Sequence, residues 1–392
     1  MSERRSRMVL VIGGGPAGLG AALGARRAGA AEVLVLERFP DPGLLRRGET
    51  LRYDAEAEAL LYPGFFDRHT RHRVDRRCYF SPSGKKSVER RIANPNRIIS
   101  WPDLIDDLAR LVQSRGATLL RDAQAVALEL EDDGVRHVRW RDQHGREHSS
   151  EVAFAVAADG HDGLCTRLLG QDRRDIDFPV LKTLRRAVDV AQDRLEYHLH
   201  VEESGRAMVG CIFPRGDDEA EVLIMGWDPP QAAVAAAAAL PTARHGLRLA
   251  LRSFAGQHPL FASRLEGSEV LYTHESAVPM GGLLEPACPL PRLILAGDLA
   301  GQVQARGGSG IVSSLVLGHF AGELAGAAAV RGGHLGPLDR LALNAAVQEH
   351  PAQQRLRSMQ RLLGWPRQHL FALLGSPAAF DRFWLWLSLL LR

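Results

Sequence analysis

The stretch Met8-Val-Leu-Val-Ile-Gly-Gly-Gly-Pro-Ala-Gly18 joins an apolar run to a cluster of glycines. An apolar run of five residues bounded by glycine predicts a strand buried on both faces of a parallel sheet. Gly13, Gly15 and Gly18 fit the pattern G-x-G-x-x-G. In that pattern the first glycine permits a tight turn, the second lets the backbone approach a pyrophosphate, and the third lets helix and strand pack closely. The stretch therefore predicts a dinucleotide-binding loop.

The residues that follow complete a strand, helix and strand unit. Pro16 and Ala17 begin a predicted helix that runs to about residue 28, and its N-terminal amides would face the phosphates. Val33-Leu-Val-Leu-Glu37 reads as the second strand, which ends in a carboxylate. Glu37 stands at the distance from the first glycine at which an acidic residue accepts hydrogen bonds from ribose hydroxyls. We include Glu37 and the adjacent Arg38 among the expected cofactor-binding residues.

A second, distant motif separates FAD from NAD. Leu293-Ile-Leu-Ala-Gly297-Asp298 reads as a buried strand that ends in Gly-Asp, and Gly307-Gly308-Ser309-Gly310-Ile311 opens a helix rich in small residues. This pair resembles the second flavin motif of the p-hydroxybenzoate hydroxylase-like FAD superfamily. The resemblance implies that Asp298 binds the ribityl chain. It also implies that the amides of residues 307–311 lie near the pyrophosphate or the flavin ring, where they would stabilise negative charge.

Further resemblances to the same superfamily add three expected cofactor contacts. Phe154-Ala-Val-Ala-Ala-Asp159-Gly160 resembles its Asp-Gly turn, although Asp159 in a purely structural turn is an equal alternative. Trp101 opens a predicted helix where the superfamily usually places an arginine near the flavin. Either Arg97 substitutes for that arginine or the contact is absent. Glu49 lies in Arg47-Gly-Glu-Thr-Leu51, which resembles segments of geranylgeranyl reductases and of flavin-dependent halogenases.

Within the superfamily, the closest resemblance is to the geranylgeranyl reductase branch. Cys211-Ile-Phe-Pro-Arg-Gly216 is similar to the Tyr-x-Trp-x-Phe-Pro-x-Gly segment that shapes the prenyl cavity of those reductases. Val209 and Cys211 stand in place of its aromatic pair, and Arg47 stands in place of the usual cysteine. The Trp-x-Trp-x-Ile-Pro signature of the halogenases is absent. Lys85 and Lys86 lie beside a predicted hairpin turn, where we expect them to be solvated.

The motifs predict an α/β fold with a Rossmann-like FAD-binding domain, an inserted β-sheet substrate domain and a C-terminal helical segment. Residues 1–45, 97–175 and 288–330 form the expected FAD-binding domain. Residues 46–96 and 176–287 form the substrate domain, and residues 331–392 form the helical region. Gly318, Gly322 and Gly326 recur every four residues in the long helix, which indicates close helix packing.

Composition restricts the class of protein. A chain of 392 residues with 45% hydrophobic and 24% charged residues is long enough for two packed lobes. A net charge of +3 is too small an excess of positive charge to indicate binding of nucleic acid. The four cysteines are far apart, and no residue pattern defines a metal site. The short apolar run after Arg4 and Arg5 does not make an export signal, so we expect a cytoplasmic protein.

The expected activity is that of an FAD-dependent oxidoreductase acting on a hydrophobic or prenyl-type small molecule through flavin N5. Hydroxylation through a C4a-hydroperoxide, as in a monooxygenase, is the first alternative, and a flavin-binding electron carrier is the second. No second dinucleotide motif is present, so NAD(P)H would bind transiently or an external reductase would deliver electrons. The apolar end Phe383-Trp-Leu-Trp-Leu-Ser-Leu-Leu-Leu391 is too short to span a bilayer. It either closes the substrate lobe or contacts a membrane surface peripherally.

Overall fold

The chain folds around one parallel sheet, one large mixed sheet and a small antiparallel sheet. This computed structural model describes residues 7–45, 47–161, 163–169, 177–201, 207–227, 253–279, 282–304, 308–332 and 337–360. Several sequence predictions fall outside these ranges. They concern Gly307 and the apolar C-terminal end. They also concern two further helices that the sequence predicts, one over the alanine-rich residues 231–239 and one over residues 242–256, most of which lie outside the described ranges.

The parallel sheet contains five strands in the order β16, β10, β1, β2, β6. Its strands are β1 (Met8–Ile12), β2 (Glu32–Leu36), β6 (Thr118–Leu120), β10 (Phe154–Ala157) and β16 (Leu293–Leu295). They are short apolar runs because both faces of the sheet are covered. Val9 and Val11 point into a core shared with the helices, whereas Leu10 and Ile12 point into a core shared with a three-stranded sheet. The Rossmann-like architecture predicted from the glycine loop is confirmed.

The three-stranded sheet was not predicted from the sequence. It consists of β7 (Gln124–Glu131), β8 (Gly134–Arg141) and β9 (Glu147–Glu151), which pair antiparallel.

Helices α1 (Pro16–Arg27), α4 (Trp101–Ser114) and α7 (Ile311–Val330) pack on the other face of the parallel sheet. The remaining helices are α2 (Ala55–Leu60), α3 (Phe65–His69), α5 (Leu164–Leu168), α6 (Pro259–Leu265), α8 (Pro337–Glu349) and α9 (351–360), and Gly297–Ala300 form a 3₁₀ turn.

Helix α7 is long and apolar enough to cross a membrane by length and composition, with a mean hydropathy of 1.4. Most of its residues are nevertheless buried, and it packs against α1 along a row of glycines. An ideal Cβ on Gly318, Gly322 or Gly326 would lie 1.9–2.7 Å from a backbone oxygen of α1. The predicted close helix packing at these glycines is therefore confirmed, and α7 is a core helix of the lobe.

The large sheet contains eight strands in the order β15, β11, β14, β13, β12, β4, β5, β3. Its strands are β3 (Thr50–Arg52), β4 (Thr70–Phe80), β5 (Ser87–Ile99), β11 (Asp177–Arg186), β12 (Arg194–Val201), β13 (Ala207–Gly216), β14 (Glu219–Trp227) and β15 (Glu269–Pro279). The hairpin predicted around Ser81–Gly84 is the connection between β4 and β5, and Lys85 and Lys86 are exposed there.

The two faces of the large sheet have different neighbours. On the outer face, Ile212, Val222 and Ile224 pack against Phe254 and Phe261 beside helix α6. On the inner face, Lys182 reaches residues Arg47 and Glu49, which lead into the nucleotide-binding lobe. The inner face is therefore the face turned toward that lobe.

His258 caps helix α6 on the outer face and is fully buried. Its Nε2–H donates to the Ser81 carbonyl at 3.0 Å, and its Nδ1 accepts from the Phe261 amide at 3.3 Å. Only the neutral ring with its proton on Nε2 satisfies both bonds. Burial, assisted by the nearby His198, lowers the pKa of His258 to about 3 from the ordinary 6.5.

We expect acid to weaken the fold through this histidine. Between pH 6.5 and pH 3 the unfolded chain binds a proton at His258 that the folded chain excludes, so stability falls as pH falls through this window. At about 1.4 kcal/mol per pH unit, the loss from His258 alone is about 2 kcal/mol at pH 5. Urea unfolding at pH 7.5 and pH 5 measures it. His258→Gln keeps a donor and an acceptor without titrating, and an equally steep pH dependence in this variant would contradict the assignment.

Candidate functional site

The glycine loop after β1 forms an open cradle in front of helix α1. Gly13 has a φ of +108°, and a Cβ there would lie 2.3 Å from the Ala158 carbonyl oxygen. A Cβ on Gly18 would lie 1.8 Å from the Gly13 carbonyl oxygen, so both glycines are required by close packing. A Cβ on Gly15 would meet nothing within 4 Å. The open space beside Gly15 is where the sequence pattern predicts a pyrophosphate.

Glu37 lies at the end of β2 with its carboxylate turned back onto this loop. Its Oε2 accepts from the Gly14 amide at 2.7 Å, and its Oε1 accepts from the Phe39 amide at 2.9 Å. Burial raises the pKa of Glu37, while these amide bonds oppose the rise. Arg38 is exposed next to it, with its guanidinium over the Phe39 ring. Glu37 thus fixes the loop as well as standing at the predicted ribose position.

We expect Glu37→Ala to weaken FAD binding by about 1.5–3 kcal/mol, the usual worth of hydrogen bonds to a charged group. The loss has two sources, because the variant removes the predicted ribose acceptor and frees the Gly14 amide. Calorimetric titration of FAD into the apoprotein measures it. Glu37→Gln keeps one acceptor and should lose less, and equal affinity in all three proteins would show that the carboxylate is misassigned.

The second predicted motif lies against the first. Gly297 has a φ of +72°, and a Cβ there would lie 2.7 Å from the Ala17 Cβ in the first turn of α1. Asp298 is half-buried, and its Oδ1 would be 3.4 Å from a Cβ on Gly310. The structure therefore brings residues 13–18 together with Gly297, Asp298 and Gly310, although they are far apart in sequence.

Backbone hydrogen bonds tie Gln304 to the residues just before helix α7. The Gln304 amide donates to the Ser309 carbonyl, and the Gly308 amide donates back to the Gln304 carbonyl, both at 3.0 Å. Gly310 and Ile311 follow directly at the start of α7. Of the predicted flavin-facing amides, those of Gly308, Ser309 and Gly310 are described, and Gly307 is outside the described residues.

Helices α1 and α7 begin without a capping side chain. Gly15 and Gly310 occupy their N-cap positions, and neither helix has an acidic residue in its first turn. The first amides of a helix have no partner within the helix, and together with the helix dipole they favour an anion. Two such helix ends in one site fit the pyrophosphate and the electron-rich ring of a flavin dinucleotide.

Asp159 forms a turn at the end of β10. Its Oδ2 accepts from the Cys165 amide at 3.0 Å, so the carboxylate caps the first turn of helix α5. Its Oδ1 is buried without a partner among the described residues, and burial raises the pKa of Asp159. A contact of Asp159 with the cofactor stays a prediction.

Arg97 lies away from the glycine loop. Its guanidinium pairs with Asp67 at 2.9 Å and stacks over the Tyr53 ring at 4.9 Å. Along β5 it alternates with Ile98, whose side chain belongs to the inner-face cluster, so Arg97 points to the opposite face. None of these contacts connects it with residues 13–18 or 297–310, and a role toward the flavin stays a prediction.

Glu49 is the centre of a buried group of charges that we call the inter-lobe charge cluster, formed by Glu49, Lys182, Arg215 and Glu221. Glu49 Oε1 accepts from the Trp101 amide at 2.8 Å, which caps helix α4. Its Oε2 accepts from Arg215 at 2.7 Å and from Lys182 at 3.1 Å, and Lys182 lies 2.9 Å from Glu221.

Lys182 and Arg215 are not among the residues predicted from the sequence, which drew attention only to Lys85 and Lys86 among the lysines. Both stand in strands whose alternation gives no sign of a partner 133–166 residues away.

The inner face of the large sheet next to this cluster is apolar and aromatic. The registers place Lys182, Leu223, Cys211, Tyr197 and Tyr79 in one row across five strands. Tyr79 and Tyr197 stack with ring centroids 4.9 Å apart. Half-buried hydrophobic residues on this face include Tyr197, Leu199, Leu223 and Met225.

Phe213 meets the Tyr197 ring edge to face at 5.5 Å. Tyr197 and Tyr79 thus supply aromatic surface beside Val209 and Cys211, the two positions where the resemblance predicted it. The sequence sign of this aromatic surface is Tyr197, in the predicted strand Tyr197-His-Leu-His-Val. Only the register of β12 with β13 places Tyr197 next to Cys211.

The four cysteines are buried and form no disulfide bonds, as their wide spacing in the sequence predicts. Burial raises the pKa of Cys78 to about 11 and of Cys288 to about 12, and it raises those of Cys165 and Cys211 as well. A protonated, inaccessible thiol is a poor nucleophile, so the cysteines offer no covalent chemistry to this site.

Comparisons with known proteins agree with this geometry. The family described as FAD binding domain matches residues 7–262. Digeranylgeranylglycerophospholipid reductase 2 of Methanopyrus kandleri is 26% identical over 336 residues, which cover 81% of this chain and 76% of the relative. Menaquinone reductase of Mycobacterium tuberculosis is 28% identical over 340 residues, which cover 83% of this chain and 78% of the relative. A geranylgeranyl bacteriochlorophyll reductase-like protein from Thermoplasma acidophilum shares the fold with a TM-score of 0.77 and 21% identity, covering 96% of this chain and 91% of that one.

Proposed function

The chain belongs to the FAD binding domain family, and on that premise we propose that it is an FAD-dependent reductase of a hydrophobic, prenyl-type small molecule. One observation carries the substrate class. The inner face of the large sheet is apolar and partly open, and it faces the nucleotide-binding lobe that carries the two uncapped helix ends. The named reductases of prenylated lipids among the relatives support the same class.

Each element of the site has a distinct part in this reaction. When bound, FAD supplies transfer of a hydride through N5. Gly15 and the first turn of α1 would hold the pyrophosphate, Glu37 would hold the ribose, and Asp298 would accept from the ribityl chain. The amides at the start of α7 would stabilise negative charge on the ring. Tyr79, Tyr197 and their apolar neighbours exclude water and orient the substrate.

Electron supply and location complete the proposal. Residues for a second dinucleotide motif are lacking in the sequence, so we propose that NAD(P)H binds transiently or that an external reductase delivers electrons.

We place the protein in the cytoplasm, with peripheral contact to a membrane through the apolar residues 383–391, which lie outside the described residues. An apolar prenyl chain dissolved in a bilayer is the physical reason for such contact.

Anaerobic reduction followed by reoxidation tests the reaction. The holoprotein is reduced with NADPH or dithionite without oxygen, and geranylgeranyl diphosphate, a prenylated glycerolipid or menaquinone is then added. Flavin reoxidation with stoichiometric saturation of a prenyl double bond, or reduction of the quinone, supports a reductase. Reoxidation only after oxygen is admitted, with hydroxylated substrate, would establish the monooxygenase alternative. Electron transfer to a partner protein without any change in small molecules would establish the carrier alternative.

A further inference from the structure

The inter-lobe charge cluster places four charged side chains in a nearly dry environment. The exposed fractions of the Glu49, Lys182, Arg215 and Glu221 side chains are between 0% and 3%. Burying charges is costly unless each is paired, and here two cations meet two carboxylates. The four buried charges therefore sum to zero, while the partly exposed Glu219 lies 3.9 Å from Arg215 at the rim. Removing any one of the four leaves a buried net charge.

The cluster fixes the segment Arg47–Glu49. Lys182 Nζ donates to the Arg47 carbonyl oxygen, and the Glu49 carbonyl accepts from the Ile99 amide at 2.9 Å. Gly48 between them is exposed, and a Cβ there would meet nothing within 4 Å. The backbone at Gly48 is thus held on both sides and presented to open space.

This segment lies beside the second half of the cofactor site. Leu51, two residues after Glu49, packs in the same core as Leu315 and Val316 in the second turn of α7. Strand β3 also contacts α7 directly. The strand that continues the segment held by the charge cluster thus lies against the helix whose first amides belong to the cofactor site.

We propose that the inter-lobe charge cluster is a positioning device for the flavin, which holds residues 47–49 beside the ring and sets the reduction potential of bound FAD. Reduction adds negative charge to the flavin, and a buried charge acts on it through a medium of low dielectric constant. This role rests on the FAD dependence in the proposed function. It is independent of the substrate, so it can hold even if the prenyl compounds tested above are not turned over.

Two single variants of opposite charge test the proposal. Lys182→Met leaves a net charge of −1 in the cluster and should lower the two-electron midpoint potential of bound FAD. Glu49→Gln leaves a net charge of +1 and should raise it. We expect at least a tenfold change in the two-electron equilibrium in each direction, which corresponds to about 30 mV. Spectroelectrochemical titration of the holoproteins against a reference dye measures the potential without any turnover.

A charge-balanced double variant is the matched control. Lys182→Met combined with Glu49→Gln restores a sum of zero while disturbing the packing at both positions. Its potential should return close to that of the unchanged protein. If both single variants shift in the same direction, or if the double variant shifts further than either, the cluster is merely structural and the proposal fails.

If Lys182→Met loses FAD, the midpoint potential of a third variant, Glu221→Gln, still tests the proposal. Glu221→Gln removes a carboxylate that pairs with Lys182 rather than with residues 47–49. An upward shift of the potential in Glu221→Gln supports the proposal, and an unchanged potential overturns it.

Discussion

Replacing Gly15 with valine is expected to lower the affinity for FAD by about 10²- to 10⁴-fold while the apoprotein keeps its fold. Gly15 is the N-cap of α1 with an extended backbone that any residue adopts, at φ −79° and ψ −176°. A Cβ there meets no protein atom within 4 Å, so valine has room in the apoprotein. Its methyl groups would fill the space in front of the uncapped amides. Losing two charge-assisted hydrogen bonds of about 1.5–3 kcal/mol each gives the stated range.

The measurement is FAD titration by calorimetry, combined with thermal unfolding of the apoprotein. Gly256→Val is the matched control, because Gly256 is exposed in helical residues 253–257 and also has nothing within 4 Å of an ideal Cβ. It should bind FAD normally. Unimpaired FAD binding by Gly15→Val would show that the pyrophosphate does not bind at this loop. An unfolded apoprotein would show that Gly15 is needed for packing.

The parallel sheet could be predicted because its sequence signals are local. Apolar runs such as Met8–Ile12 and Leu293–Leu295 need no distant partner to be recognised, since strands buried on both faces are apolar throughout. The glycine patterns at 13–18 and 318–326 are equally local, because each glycine marks a close backbone approach. Membership of the FAD family and an FAD-dependent oxidoreductase activity follow from these motifs and are confirmed by the comparisons.

The substrate side could not be predicted to the same depth. Strand β4, Thr70–Phe80, lies between β12 and β5 and carries arginines, a histidine and an aspartate at exposed and half-buried positions, so its sequence lacks a regular alternation of apolar residues. Lys182 is buried only because Glu49 and Glu221, from distant parts of the chain, pair with it. A lysine seen alone in a sequence predicts a solvated side chain. Tyr197 joins the aromatic surface only through the register of β12 with β13 and β4. Long-range pairing of this kind leaves no pattern within either segment.

Gly322→Ala is expected to destabilise the protein by about 2 kcal/mol and to abolish FAD retention. An ideal Cβ on Gly322 would lie 1.9 Å from the Ala21 carbonyl oxygen and 2.7 Å from the Ala21 Cα. Because these are backbone atoms, no rotamer change relieves the contact, and α7 must move away from α1. Overpacking a well-packed core costs about 1–3 kcal/mol or more, and the alanine regains only about 1 kcal/mol of helix propensity.

The loss of FAD follows from the geometry of the same two helices. Their first turns together form the cofactor site, and Gly297 there is close enough to Ala17 that small shifts are felt. Urea unfolding with and without FAD separates the two effects.

A graded series of glycine-to-alanine variants distinguishes helix contact from a general effect of the substitution. At Gly326 the nearest backbone oxygen would be 2.7 Å from the Cβ, so Gly326→Ala should cost less than Gly322→Ala. At exposed Gly256 nothing lies within 4 Å, and Gly256→Ala should be neutral or stabilising by up to about 1 kcal/mol. If all three variants unfold at the same urea concentration, the glycine row is not what holds α1 and α7 together. The two halves of the cofactor site would then have to be aligned by other contacts.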